Sequence, residues 1–170
     1  MDYIIKKATE SDLDFALSLN QTSLSAVSHS NLKQMKYFLD VSSYFKILCI
    51  ENSPVGFLIG LMPGMDYKSE NYLWVNRIYQ SFIYIDRVII DAKNRNKGLG
   101  SILYDDLVKS FQGKVENVIC EVNVKPYNSQ SLYFHEKYGF KEIGQKDIQN
   151  GTKKVSYLIF NIYGCAWNFY

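Results

Sequence analysis

Histidine and cysteine are both scarce in this chain. His29 and His135 are its two histidines, and Cys49, Cys120 and Cys165 its three cysteines, among 170 residues. Neither type falls into a metal-ligand spacing and no C-x-x-C occurs, so no resident metal is expected. An odd, scattered set of thiols also argues against a disulfide scaffold and for reduced cysteines in a cytoplasmic setting. Charge of one sign is lacking as well. Nineteen Lys and Arg against 17 Asp and Glu leave a net charge of +2, too little to argue for nucleic acid or a membrane surface as partner. No apolar run reaches the ~20 residues needed to span a bilayer. The opening "MDYIIKKATESD" lacks the basic-then-apolar order of a secretion signal. Repeats and low-complexity tracts are absent.

What the chain has in quantity is aromatic residues, 14 Tyr and 10 Phe. Such side chains bury large areas, and Tyr keeps a polar tip for a groove. The length suits one domain spanning residues 1–170. "YIIKKA" reads as a first strand. "TESDLDFALSLNQTS" opens on capping residues and continues as a helix. "SNLKQMKYFLDVS" has the apolar side of a second helix. "YFKILCIEN" and "PVGFLIGLM" read as strands around Asn52-Ser53-Pro54. "PGMDYKSENYLWVNRIYQ" is expected to be a loop with a short helix near "YLWVNRIY". Then follow strand "SFIYIDRVIID", helix "GLGSILYDDLVKSFQG", strand "NVICEVNV" and helix "NSQSLYFHEKYGF". "KEIGQKDI" and "KKVSYLIFNIY" form a hairpin around Asn150-Gly151. Strands and helices mix without strict alternation, which predicts an α/β protein with a mixed sheet and helices on both faces.

One stretch carries chemistry: "DAKNRNKGLGS", between an apolar strand and a helix. Two familiar phosphate loops fail on it. Gly113-Lys114 is followed by Val115, which rules out a P-loop, and a dinucleotide fingerprint would need Gly where Leu103 stands. Arg95-Asn96-Lys97-Gly98-Leu99-Gly100 instead satisfies R-x-x-G-x-G. The two Gly residues let the backbone approach a ligand, and the following helix, starting near Ser101, points its positive end at an anion.

At these residues the chain resembles the GNAT superfamily of N-acetyltransferases. "VIIDAKNRNKGLGSILYDDLV" is similar to that family's acetyl-CoA motif. "VNVKPYNSQSLYFHEKYGF" is similar to the motif that follows it, with Asn128, Ser131, Gly139 and Phe140 in the N-x-x-A/S … Gly-Phe positions. Together they cover roughly residues 83–145, and the N-terminal half with "YIDRV…FHEKYGF" resembles a small bacterial subgroup of predicted acetyltransferases of unknown substrate. The resemblance implies a twisted, mostly antiparallel sheet of about seven strands, with the fourth and fifth splayed into a V. It implies acetyl-CoA as cosubstrate. The pantetheine arm would pair with strand backbone near Val88, Ile89 and Ile90, which would also polarise the thioester. The pyrophosphate would sit on the loop at residues 95–101, and Asn128 and Ser131 would flank the cofactor. Family members usually place a Tyr acid seven residues after the Asn; here that position is His135.

Acetyl transfer to an amine requires loss of an ammonium proton, and an alkylamine has a pKa of about 10, so a base is useful at neutral pH. Asp86 and Glu121 are the candidates, each interrupting an apolar strand of the implied V. The alternative for Asp86 is an ion pair with Arg77 or Arg87, and for Glu121 a structural hydrogen bond or a pair with a nearby Lys, because an unpaired buried carboxylate is costly. His135 is the candidate acid for the thiolate, with Tyr133 and Tyr138 behind it; its alternative is packing beside coenzyme A. Cys120 reads as a buried structural thiol. The aromatic segment at residues 67–84, with Tyr37, Tyr44 and Phe45, is a candidate acceptor groove, although core packing or a homodimer surface explains the same residues. The leading expectation is an N-acetyltransferase for a small-molecule or peptide amine. The rivals are a non-catalytic acyl-CoA sensor and a nucleotide-binding regulator.

Overall fold

A computed structural model describes residues 2–24 and 27–163, so Cys165 lies outside the described residues. The chain begins with strand β1 (Tyr3–Lys7). A 3-10 turn (Glu10–Asp12) leads into helix α1 (Leu13–Gln21). The entry is fixed by Asp12, whose carboxylate accepts from the Thr9 backbone N–H at 3.0 Å and from Lys6 Nζ at 2.6 Å. Helix α2 (Leu32–Val41) is capped by Asn31, whose side chain accepts from the Gln34 N–H at 2.9 Å. Strands β2 (Tyr44–Ile50) and β3 (Ser53–Leu61) follow. Their turn is Glu51-Asn52, at φ 48° and 65°, one residue earlier than expected. Pro54 instead sits inside β3, opposite Cys49 at a bulge, where a missing N–H costs no ladder bond.

Helix α3 (Glu70–Ile78) starts at Ser69, whose hydroxyl accepts from the Tyr72 N–H. It falls on the short helix expected near residues 72–79 and starts two residues earlier, and its buried Tyr72 and Val75 pack on the sheet. Strand β4 (Phe82–Ile90) leads through a 3-10 turn (Ala92–Asn94) to helix α4 (Leu99–Phe111). Strand β5 (Asn117–Lys125), helix α5 (Ser129–Tyr138) and the hairpin of β6 (Lys141–Ile148) and β7 (Lys153–Asn161) complete the described chain.

The seven strands form one sheet in the order β1-β2-β3-β4-β5-β7-β6. All neighbours are antiparallel except β4 and β5, which run parallel. Strand alternation divides the buried side chains between two faces. One face packs Phe57, Tyr84 and Tyr157 beneath α1, α2 and α3, with Leu13, Phe38 and Tyr72. The other packs Leu58, Ile83 and Val118 beneath α4, with Leu103, Tyr104 and Leu107. Each fully buried side chain of this size contributes roughly 1.5–3 kcal/mol. Among the described residues, no helix is long and apolar enough to cross a membrane.

Candidate active site at the splay of the sheet

Strands β4 and β5 pair only from Phe82↔Asn117 to Ile85↔Cys120. Beyond that rung both strands continue, through residues 86–90 and 121–125, but no longer pair with each other. Their facing backbone groups therefore line a cleft. Asp86 and Glu121 occupy the first position past the last rung on each strand, at the apex of this V. The cleft walls include Val88, Tyr104, Asn128, Ser131 and His135, so α4 and α5 close what β4 and β5 open.

Asp86 is aimed by a bulge. Ile59 of β3 stands opposite Arg87, but the next residue, Gly60, stands opposite Ile85. Asp86 is thus the extra residue, without a partner on β3. An extra residue bends the strand and re-aims its neighbours. It turns Arg87 to the same face as Tyr84, where the guanidinium carbon lies 4.8 Å from the centre of the Phe38 ring. Arg87 Nε donates to Asp86 Oδ2 at 2.6 Å, and its NH1 donates to Asn20 Oδ1 at 2.7 Å. Tyr67 donates its hydroxyl proton to Asp86 Oδ1. Both carboxylate oxygens are engaged, and Arg87 rather than Arg77 balances the charge. Burial, with Asp86 adding to it, pushes the Tyr67 phenol far up, so this hydroxyl stays a donor.

Among the described residues, no cation pairs with Glu121. Tyr84 donates to Oε2 at 2.6 Å and Asn71 Nδ2 donates to Oε1 at 3.0 Å. Burial foremost, and the Asp86 charge, raise its pKa, the two donated bonds oppose them, and the net result is a pKa of about 7. A carboxylate oxygen accepts more than one hydrogen bond, so Glu121 keeps lone pairs for a water or an amine. Its neighbour Cys120 is buried against α4 at the floor of the cleft, and burial raises its thiol well above the ordinary range.

His135 is 3% exposed. Its Nδ1 lies 2.7 Å from the Ser131 carbonyl oxygen, which only accepts, so Nδ1 carries the proton. Burial lowers the ring pKa to about 4, leaving it neutral. Nε2 is then a bare acceptor, and the Tyr104 hydroxyl donates to it across 2.8 Å. Neither nitrogen offers a proton to the cleft in this arrangement. Tyr133 is 66% exposed, and Tyr138 donates to Asp105 at 2.7 Å; neither belongs to the cleft lining. Tyr44 and Phe45 are core residues on opposite faces of the sheet, as their alternation in β2 requires, whereas Tyr67 does line the cleft.

The phosphate-type loop lies at the open end of the V. Arg95 is anchored by Nε to the Ile90 carbonyl at 3.1 Å, Asn96 turns the chain at φ 61°, and Lys97 donates to Asn94 Oδ1 at 2.9 Å. Gly98 is the N-cap of α4 at φ 78°, with no side-chain cap on the helix start. The first N–H groups of α4, at Leu99, Gly100 and Ser101, therefore have no intrahelical acceptor. A Cβ on Gly98 would meet nothing within 4 Å, so the space before the helix is open to an anion. A Cβ on Gly100 would lie 3.2 Å from the Phe134 ring. Gly100 is demanded by the contact between α4 and α5, not by the loop alone. At the other wall, Asn128 caps α5 by accepting from the Ser131 N–H at 3.1 Å.

Asn71 and Tyr84 fall within the aromatic segment at residues 67–84 that reads as a candidate groove, but their contacts with Glu121 have no sequence signal. Tyr104 has none at all, since it looks like ordinary apolar periodicity of α4.

The model of the family described as Acetyltransferase (GNAT) family matches residues 10–140. Spermine/spermidine N(1)-acetyltransferase of Bacillus subtilis (strain 168) is 26% identical over 161 residues, covering 90% of this chain and 96% of that protein. Among solved structures, Ard1 of Thermoplasma volcanium superposes with a TM-score of 0.77 at 18% identity, covering 95% of this chain and 98% of that one. The ribosomal-protein-S18-alanine N-acetyltransferase of Escherichia coli gives 0.72 at 16% identity over 99% of both chains. These two likenesses concern the fold.

Proposed function

Because the chain belongs to the GNAT acetyltransferase family, we propose that it moves an acetyl group from acetyl-CoA directly to a primary amine of a small polycation or a peptide. The residues present fit that cosubstrate. The uncapped start of α4 and the loop at residues 95–101 suit its pyrophosphate, with Arg95 and Lys97 adding screened charge. The unpaired edges of the V suit its pantetheine amides, and backbone groups at Val88, Ile89 and Ile90 would hold the arm. Asn128 and Ser131 flank the same cleft.

Glu121 carries the reading. It stands at the apex of the V, without a counter-cation, with its pKa raised to about 7. A base poised there is half ionised at neutral pH and able to take the proton an ammonium must lose. Asp86, the other candidate, is tied to Arg87 and Tyr67, and we assign it the role of holding Arg87 and the bulge. A partly negative cleft with Tyr67 on its wall favours a cationic acceptor. The polyamine in the name of the Bacillus subtilis relative has that chemistry. His135 we assign to packing and to orienting Tyr104. A thiolate with a pKa of about 8.5 leaves without a dedicated donor.

The test is release of free thiol from acetyl-CoA in the presence of spermine, spermidine, a short diamine or a peptide with a free N-terminus. Turnover with at least one amine is expected, and polyamines should have the lowest KM. Tight acetyl-CoA binding with no thiol release from any amine would sink the enzymatic reading in favour of an acyl-CoA sensor.

A further inference from the structure

The hydrogen bonds around Glu121 do not end at its direct partners. Tyr157 of β7 stands directly opposite Glu121 in the β5–β7 register. Its hydroxyl reaches Asn71 Oδ1 at 2.9 Å, and Asn71 Nδ2 reaches Glu121 Oε1 at 3.0 Å. The directions of these bonds follow from chemistry. An ionised carboxylate only accepts, so Asn71 must show it the NH2 end of the amide. The carbonyl end then faces Tyr157, which must donate. Tyr157 is itself fully buried, and its ring stacks on Trp74 of α3 with centroids 4.1 Å apart and planes 19° from parallel. Trp74 and Asn71 lie on one helix, so the stack and the hydrogen bond dock α3 against β7 in one orientation.

We infer that Tyr157 is a positioning residue for the proposed base: by donating to Asn71 Oδ1 it keeps the Asn71 amide turned so that Nδ2 serves Glu121. Without that donor the amide is free to turn over and present its oxygen to the carboxylate, which exchanges an attraction for a repulsion. The ionised form of Glu121 then loses support, and its proton is held to higher pH. The other groups facing Glu121 are Asp86 and Tyr84 of β4, Tyr67 before α3, Tyr104 of α4 and, along the cleft, His135 of α5 and Lys153 of β7. None of these bonds Asn71 Oδ1, so none replaces Tyr157 in this role.

This inference rests on Glu121 as base, and the experiment separates the two. The measurement is the acidic limb of kcat/KM against pH for the wild type and for Tyr157→Phe, Asn71→Ala, Glu121→Gln and the double variant Tyr157→Phe/Asn71→Ala. Phe keeps the ring stacked on Trp74, and far-UV circular dichroism checks the fold. Tyr157→Phe is expected to move the limb upward by about half a pH unit, and Asn71→Ala by about one. The double variant should match Asn71→Ala alone, because Tyr157 acts only through Asn71. A limb that stays in place in Tyr157→Phe, or a shift that adds fully to that of Asn71→Ala, overturns the inference while leaving the base intact. A limb that survives in Glu121→Gln overturns the base itself.

Discussion

At the scale of single residues, Glu121 and His135 have shifted proton affinities that act on stability in opposite directions. Glu121 holds its proton to about pH 7 when folded, against an ordinary value of 4.5. Between those values the folded state binds more protons than the unfolded one, so this group's contribution falls as pH rises and levels off above about 7. The cost at alkaline pH is at most about 3 kcal/mol. Glu121→Gln should therefore raise the melting temperature at pH 8, lose that gain near pH 5, and abolish most turnover; equal melting temperatures at pH 8 would contradict the buried, unpaired charge. His135 behaves inversely. Its folded pKa of about 4 lies below the ordinary 6.5, so the unfolded state binds the extra proton and stability is lost as pH falls through that window. His135→Phe removes the acceptor of the buried Tyr104 hydroxyl and should cost roughly 1–3 kcal/mol of stability. If His135 only packs and orients Tyr104, as proposed, its turnover should fall by less than about tenfold. A loss of ~100-fold or more in kcat with acetyl-CoA affinity intact would restore His135 as the acid.

At the scale of elements, the turn into α4 combines two glycines that fail for different reasons. Gly98 needs its φ of 78° and has open space around it. Gly100 has no special φ but touches the Phe134 ring through any added Cβ. Gly98→Val should strain the N-cap and obstruct the anion site, raising the acetyl-CoA dissociation constant by about tenfold or more with a stability loss of about 1 kcal/mol. Gly100→Val should act first on stability by separating α4 from α5, and Phe134→Leu in the same chain should recover part of that loss. Calorimetric titration and thermal unfolding on the three variants distinguish the roles; recovery of affinity without recovery of stability would count against the packing explanation. Helix α3 makes the complementary point. Its helical stretch near residues 72–79 is visible in the sequence, but its docking depends on Trp74 meeting Tyr157, 83 positions later.

At the scale of the whole molecule, the site is a consequence of one interrupted pairing. Were β4 and β5 paired along their full length, residues 86–90 would have no free edge and α4 would have no cleft to face. Occupation of the V by acetyl-CoA should therefore protect amides in the upper half of β4 and at the start of α4, and leave the β1–β2 ladder unchanged. Saturation at a hundred times the dissociation constant should add about 2.7 kcal/mol of stability. Hydrogen exchange with and without acetyl-CoA reads this directly, and protection confined to the cleft near Lys7, Lys46 and Lys114 would place the ligand elsewhere.

The sequence by itself determined the elements and the two motifs that carry the family resemblance. Alternating apolar strands, the Asn150-Gly151 turn, the capping residues ahead of α1 and the glycine pair at Gly98 and Gly100 are local signals, set by short-range sterics and hydrogen bonds. The seven strands and the family resemblance follow from them. Tertiary structure alone decided which carboxylate is free. Asp86 and Glu121 look alike in the sequence, each a charge in an apolar strand, and the bulge that hands Asp86 to Arg87 has no signature of its own. The pairing of His135 with Tyr104 and the line from Tyr157 through Asn71 to Glu121 also join residues distant in the chain. Burial and hydrogen-bond direction set proton affinity, and both depend on what lies across the fold rather than on what comes next along the chain.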